Sequence, residues 1–431
     1  MGPALLSSVL LFLGAVFVAT SRKPAKLSHI VLAGLISTVV FIGVVQADGR
    51  EPARPDRDIT VANLNILHGF ACDPPFPDDG DQCRVQDRID LLVEHIIAAG
   101  CPDVVTLQEN VTEPFVGLTP VVVVGPLDNT VTLIRDRLPY LEVACGVLYE
   151  VVFDPEGATD PPAALGRGID EELILTRYQV LDAEVFPLYS PLAPFFFRHV
   201  FFIRIDHDFE PVDVFTTHLA GDADFGSRPC GVNVLPPPFQ SPPCPAECMV
   251  FGDTVRECQA KQMARFIEMR HDIAGVGLVT GDLNAEPGTN VYDQFVSRGW
   301  IDSHLKAKNA ECDSITGMNC TAGREDEALS DLEAPGLNQD QRIDFIFVIK
   351  PNDEGSRCKW DIDTLKDKDR DGSVTGLFGA RPNPFASACG PAPLSICWAS
   401  DHSGNQLDLN CKRSSQRNIR ARPSPAPLDT F

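Results

Sequence analysis

Short apolar runs ending in carboxylates, amides and imidazoles are what this chain offers to chemistry. Reading in from Ile273, the stretch Gly277-Leu278-Val279-Thr280-Gly281-Asp282-Leu283-Asn284 is an apolar run that stops at a glycine and then presents an acid and an amide. That pattern describes a buried strand opening into a loop. Strand geometry puts Asp282 and Asn284 on one side of the strand end. Together they can hold a water by two hydrogen bonds and aim it. The same residues also suit an Asx turn that merely closes a strand, so the pair alone leaves both readings open. Ser400-Asp401-His402-Ser403-Gly404 poses the same choice: an acid facing a metal beside an imidazole facing a phosphate, or a polar turn before a final strand.

Further runs end in polar residues. Ile59–Leu67 alternates as a strand and carries Asn65 near its end, placed to hydrogen-bond a metal-bound carboxylate or a phosphate, or to close a turn. Val104–Glu109 ends in a carboxylate, a position where an acid is ordinarily just solvated. Val212–Leu219 has His218 near its end, able to donate to a phosphate oxygen or a leaving group, though a structural role suits it as well. Arg342–Ile349 is an apolar strand with Asp344 embedded in it. A buried Asp wants a partner, and a histidine is a natural one.

The elements that must position these residues read as an α/β arrangement. A helical period over Val85–Ala99, stopped by Gly100, separates the first two strands. Thr130–Tyr140 is expected as a short helix, and Val143–Phe153, Glu172–Thr176 and Tyr178–Phe186 as strands. Phe195–Ile205 is apolar apart from Arg198, His199 and Arg204; its length and flanking turns favour a buried strand over a membrane-inserting loop. Gly221–Asp253 is too long for an ordinary connection and reads as an insertion. Thr254–Ile273 is expected as an amphipathic helix, and Val291–Val296 as another, capped by Asn290.

The formal net charge of −24 repels a polyanion at long range unless cations or a local basic cleft intervene. No basic stripe with interleaved aromatics is present. The 14 cysteines all follow residue 71, and none forms a paired CxxC zinc pattern. In an exported chain they imply a disulfide framework, with Cys230/Cys244, Cys248/Cys258 and Cys312/Cys320 as neighbours able to pair. Residues 1–47 hold two apolar stretches around Arg22, Lys23 and Lys26, and Val45-Gln46-Ala47 is a small-residue cleavage site. This segment is expected to be an export signal, or a membrane anchor if it is not cleaved. Residues 412–431 are expected to form a disordered tail. Asp367, Asp369 and Asp371 match the first half of a calcium loop whose twelfth position is Phe378 instead of an acid, which leaves open a Ca²⁺ site or a solvated acidic turn. Asn110-Val111-Thr112 and Asn319-Cys320-Thr321 match the glycosylation pattern; Asn110, beside Glu109, is expected to be unmodified.

Taken in order, Asn65, Leu-Gln-Glu109, Thr-His218-Leu, Gly-Asp282-Leu-Asn284, Arg-Ile-Asp344-Phe and Ser-Asp401-His402 resemble the endonuclease/exonuclease/phosphatase superfamily. That group includes pancreatic-type deoxyribonucleases, abasic-site endonucleases, bacterial sphingomyelinases and inositol-polyphosphate 5-phosphatases. The resemblance covers about Ile59 to Leu409, within a catalytic domain of residues 58–411. It implies a four-layer α/β sandwich with two packed, mostly antiparallel sheets flanked by helices, and Mg²⁺-dependent hydrolysis of a phosphoester, with Mn²⁺ as a substitute ion. By the same resemblance Glu109 would hold the ion, with Asn65 and Asp401 nearby. Asp282 and Asn284 would orient the attacking water and the phosphate. His402 would be polarised by Asp344 and act as base or phosphate contact, and His218 would stabilise the transition state. The substrate implied is a phosphodiester, nucleic acid first and a phospholipid head group second, turned over by a monomer; a phosphatase of the same fold and an inactive binding domain are the alternatives. Relatives often place a substrate-contacting Tyr where this chain has Ala164–Glu172, which holds Arg167 and no Tyr.

Overall fold

The computed structural model divides into units Met1–Asp56 and Arg57–Phe431. It describes residues 58–67, 84–110, 115–116, 123–124, 130–153, 171–193, 198–208, 210–222, 224–235, 240–249, 253–323, 339–351, 356, 358–363, 377–378 and 398–413. The expected export segment, Arg167 and the half calcium loop at Asp367, Asp369 and Asp371 lie outside the described residues.

In chain order the strands are β1 (Asp58–Asn65), β2 (Val104–Asn110), β3 (Phe115–Val116), β4 (Val123–Val124), β5 (Glu150–Phe153), β6 (Glu171–Thr176), β7 (Val180–Leu188), β8 (Arg198–Ile205), β9 (Val212–His218), β10 (Val276–Asp282), β11 (Ile301–Asp302), β12 (Asp344–Ile349), β13 (Cys358–Asp363), β14 (Leu377–Phe378) and β15 (Gly404–Arg413). One sheet runs β13-β15-β1-β2-β6-β5, with β14 also on β15, and the other runs β11-β12-β10-β9-β8-β7. Within each sheet one pair is parallel, β1 with β2 and β9 with β10. The remaining pairs in the two sheets are antiparallel.

The layers follow from side-chain alternation. Ile59, Val61, Val104 and Ile174 from the first sheet meet Phe201, Ile203, Val214, Leu278 and Ile346 from the second in one apolar cluster. The outer face of the first sheet (Ala62, Leu64, Val105, Leu107) is covered by Ile89, Leu92 and Ile96 of the helix Val85–Ala98 and by Val131, Ile134 and Leu141 of the helix Thr130–Cys145. The outer face of the second (Phe202, Phe215, Val279, Phe345, Phe347) is covered by the helices Val255–Arg270 and Asn290–Val296 through Met263, Phe266, Ile267 and Phe295. The fold is therefore a four-layer α/β sandwich. Each such fully buried apolar side chain contributes about 1.5–3 kcal/mol relative to exposure.

Most elements lie where the sequence places them, and the differences have local causes. Val143–Cys145 is helical, not extended: Cys101–Cys145 pins the helix end, and Gly146 at φ +68° turns the chain. The helix Val255–Arg270 opens on a full capping box between Thr254 and Glu257 and stops short of Ile273. Thr289, rather than Asn290, caps the next helix, its side chain accepting from the Tyr292 amide. Strand β15 runs past Cys411 to Arg413, paired with β13, so Lys412 and Arg413 belong to the sheet and not to a tail. Strand β8 is a buried sandwich strand, with Val200–Ile203 fully enclosed. The three expected loop-closing disulfides are present, and Cys101–Cys145 and Cys358–Cys411 join them.

Candidate active site

Strand register brings the polar strand ends together. Asp282 on the central strand β10 pairs with His218 of β9 on one side and Asp344 of β12 on the other. In the facing sheet, Asn65 pairs with Gln108, the residue before Glu109, and Asn63 pairs with Asn405 just after the 400–403 loop. Two glycines permit this closeness. A Cβ on Gly281 (φ +140°) would lie 2.0 Å from the Thr217 carbonyl oxygen, and one on Gly404 would lie 1.4 Å from that of Asn63. Glu109 sits at φ +62°, where β2 and β6 shift register, and Asn284 at φ +49°. A bulge of this kind re-aims a side chain at a cost of about 1–3 kcal/mol for a non-glycine residue.

The side chains form one buried network. Asn65 Nδ2 donates to Glu109 Oε1 at 2.8 Å and to Asp282 Oδ2 at 3.0 Å, while its oxygen accepts from the Leu67 amide at 3.0 Å. Asp282 Oδ1 accepts from the Asn284 backbone amide at 2.7 Å. The Asn284 side-chain nitrogen lies 2.9 Å from His218 Nε2 and donates to the Leu219 carbonyl at 2.9 Å. His218 Nε2 is 3.4 Å from Asp282 Oδ2, and its Nδ1 is 3.8 Å from Glu109 Oε1. On the far side of Asp282, His402 Nε2 lies 3.9 Å from Asp282 Oδ2 and His402 Nδ1 lies 2.9 Å from Asp344 Oδ2.

Electrostatics in the second half of the network follow from burial. Desolvation pushes Asp344 up to about 6, against the pull of the imidazole beside it. Burial works against the charged form of His402, but the carboxylates of Asp344, Asp401 and Asp282 outweigh it and raise the imidazole well above its ordinary value. The Thr321 hydroxyl accepts from the Ile343 and Asp344 amides and fixes the strand at this point.

A divalent cation fits these donors. Ligand atoms of Asp282, Asp344 and His402 all lie within 4.8 Å of one another. Asp344 Oδ1 is buried with no hydrogen-bond partner among the described residues. Glu109 and Asp282, both buried, converge on the single amide of Asn65. Carboxylates gathered this closely favour a hard cation that accepts oxygen ligands.

Of the residues singled out in the sequence, Asn65, Glu109, His218, Asp282 and Asn284 fall in one hydrogen-bonded cluster, which Asp344 and His402 adjoin through Asp282. Asn65 meets the carboxylates as a donor. Asp401 is buried, accepts from the Ser400 hydroxyl at 3.0 Å and acts on His402 through its charge. Asn110 is buried and donates to the Leu107 carbonyl at 3.0 Å.

Sequence reasoning missed the supports. Arg198 is buried, lies 2.6 Å from His218 Nδ1 through its Nη1 and pairs with Asp224. Glu172 accepts the His218 backbone amide at 2.8 Å and pairs with His199. Arg88 donates to the carbonyls of Ile66 and Leu67 at 2.6 and 2.9 Å, holding the chain that follows Asn65. The charges that interrupt the apolar run of β8 were the available signal: a buried strand tolerates Arg198 and His199 only with partners.

The fold is a four-layer α/β sandwich, and the solved structures it is similar to include proteins described as endonuclease/exonuclease/phosphatase. Truncated TDP2 of Caenorhabditis elegans is 14% identical over 82% of this chain and 97% of its own, with a TM-score of 0.43. An endonuclease/exonuclease/phosphatase from Bacteroides vulgatus is 17% identical over 82% and 99%, with a TM-score of 0.44. The human Nocturnin catalytic domain, with bound sulfate, is 14% identical over 83% and 94%, with a TM-score of 0.45. No family model and no curated protein matches the chain. The chemistry rests on the site's own geometry.

Proposed function

We propose that this chain is an exported, Mg²⁺-dependent hydrolase of a phosphodiester. The observation that carries the reading is the convergence on Asp282 of two histidines and two further carboxylates from both sheets. Glu109 would hold the ion, with Asn65 and Asp401 contributing to its site, and the carboxylates of Asp282 and Asp344 carry the same donor chemistry. When bound, the ion neutralises charge developing on the phosphoryl and leaving oxygens. The chain's own residues do the rest. Asp282, its carboxylate oriented by Asn65 and by the Asn284 amide, accepts a proton from the attacking water. The water oxygen bonds to phosphorus and the ester oxygen leaves with its electron pair. His402, held by Asp344, and Asn284 would contact the phosphoryl oxygens, and His218 would stabilise the charge developing there. Export is supported by the five disulfides among the described residues.

The test is a substrate panel of plasmid DNA, RNA, sphingomyelin and a phosphomonoester, each with Mg²⁺ and with EDTA. Metal-dependent diester cleavage is the expected result. A folded protein that cleaves none of them would point to a binding domain instead.

A further inference from the structure

Two of the disulfides sit close enough to react with each other. Cys230–Cys244 and Cys248–Cys258 are separate bridges, yet the sulfurs of Cys230, Cys244 and Cys258 all lie within 4.8 Å of one another. The four cysteines share one apolar cluster with Tyr189, Ala220 and Val255. Within it the bridges differ in access. Cys230 and Cys244 are half-buried, whereas Cys248 and Cys258 are fully enclosed. A thiol arriving from solvent therefore meets the outer bridge first.

The surroundings hold the outer bridge against the inner one. The Tyr189 hydroxyl accepts from the Gly231 amide at 3.0 Å and donates to the Pro242 carbonyl at 3.2 Å, bracing the chain on both sides of the bridge. Gly231, at φ +83°, packs so closely that an added Cβ would lie 3.1 Å from that of Cys244. A sulfur released from this bridge thus stays beside Cys258.

We infer that the two bridges form one thiol-exchange site whose ligand is a low-molecular-weight thiol. The entering thiolate bonds to one sulfur of Cys230–Cys244, and the electron pair of the broken bond passes to the other sulfur. The released thiolate attacks Cys258. The Cys248–Cys258 bond breaks, and its electron pair goes to Cys248, which takes up the proton that the entering thiol gave up. Two disulfides and one thiol are present before and after, so no oxidant or reductant is consumed. When Cys244 is the attacker, the new bridge closes a loop only slightly longer than the old one, and loop entropy hardly opposes it.

Exchange here reaches the chain that carries the candidate active site. Cys258 lies in the first turn of the helix Val255–Arg270, between Arg256 and Gln259. Arg256 donates to the Ala220 carbonyl at 2.6 Å, and the Gln259 side chain accepts from the Ala220 amide at 2.8 Å. The preceding Leu219 donates its amide to the Asp282 carbonyl at 2.9 Å and accepts from the Asn284 side chain at 2.9 Å. A bridge that draws Cys258 away from Cys248 loosens this grip on the residues that follow His218.

The experiment maps the disulfides of the folded full chain after limiting reduced glutathione, blocking with N-ethylmaleimide and digestion without reduction. Mass spectrometry should find Cys258 joined to Cys244 or Cys230, and the blocking group on Cys248, which is fully buried in the starting fold. Cys230→Ser leaves Cys244 as a resident thiol; without glutathione it should label Cys248 about tenfold or more above the wild type. Cys101–Cys145, Cys312–Cys320 and Cys358–Cys411 should stay intact in the same maps. Amide hydrogen exchange at Leu219 and Ala220 should quicken by about tenfold or more in the exchanged form. Glutathione confined to Cys230 and Cys244 with Cys248–Cys258 unbroken, or exchange spread equally over all the bridges, overturns the exchange site. Exchange mapped at Cys258 with the protection of Leu219 and Ala220 unchanged overturns its link to the active-site chain.

Discussion

His402 Nδ1 and Asp344 Oδ2 lie 2.9 Å apart, both residues buried, although 58 positions separate them in the chain. The carboxylate holds the imidazole in one orientation, leaving Nε2 aimed at Asp282, 3.9 Å away. Replacing His402 with Ala should lower kcat by about 10²–10³-fold, the range for a group that stabilises charge developing in the transition state. Asp344→Asn should lose a comparable factor, and the double variant little more than either single one, because the two act as a unit. Steady-state kinetics on one diester checks this. Fully multiplicative losses would show that the residues act independently.

Arg198 should behave as a positioning residue. It reaches His218 at 2.6 Å and is itself tied to Asp224. Arg198→Met keeps much of the stem and removes the donor. We expect kcat to fall by about 10²-fold, as when a reacting group is misplaced by about 1 Å, with the imidazole resonance of His218 shifted in NMR spectra. An unchanged kcat with an unchanged resonance would remove Arg198 from the account.

Gly281 should accept no side chain. A Cβ would meet the Thr217 carbonyl at 2.0 Å, and φ of +140° disfavours an L-residue. Gly281→Ala should cost about 3 kcal/mol or more, combining backbone strain with displacement of β9 from β10. Chemical denaturation measures it; a loss below about 0.5 kcal/mol would mean that the strands part easily.

Stability should carry a histidine signature on the acid side of neutrality. Burial lowers the pKa of His304, and Arg342 adds to the effect although the Ala310 carbonyl opposes it. Its Nε2 lies 2.8 Å from the Ala310 carbonyl oxygen and the Asn309 amide nitrogen lies 3.4 Å from Nδ1, an arrangement that suits the neutral ring. The unfolded chain binds a proton near pH 6.5 that the folded chain refuses. This contribution is therefore complete above about pH 6.5 and is lost as pH falls through it. His402, raised instead, contributes stability that is complete below about pH 6.5 and is lost as pH rises towards its raised value, a window above that of His304, and the difference between variants isolates the His304 contribution. The Tm of His304→Gln should depend less on acidification from pH 7.5 to 5.5 than that of the wild type. Parallel profiles would contradict the assignment.

Much of this was legible in the sequence because strand ends are legible. An apolar run that stops at Gly281 and yields Asp282 and Asn284 declares both its burial and its polar end. The short-range disulfides were legible only as candidates: Cys312 and Cys320 are 8 residues apart and able to pair, but the connectivity of 14 cysteines does not follow from their spacing. Long-range supports were not. Arg88, inside an amphipathic helix, carries no sign that it will hold the carbonyls of Ile66 and Leu67. Glu172 reads as an ordinary strand residue until the other sheet brings His199 and the His218 amide to it. Thr289 displaced Asn290 as a cap because Asn290 was drawn to Glu257. Such pairings depend on the packing of sheets and helices that periodicity describes singly.

The central claim is that Asp282 and the groups around it hydrolyse a phosphodiester with a divalent ion. The most direct measurement is cleavage of bis(p-nitrophenyl) phosphate by the full, folded chain, titrated with Mg²⁺ and then with EDTA, alongside Asp282→Asn. The account predicts nitrophenolate release that saturates with Mg²⁺, stops with EDTA, returns when Mg²⁺ is restored, and falls by about 10²-fold or more in the variant. Cleavage indifferent to EDTA, or equal in wild type and Asp282→Asn, would contradict it.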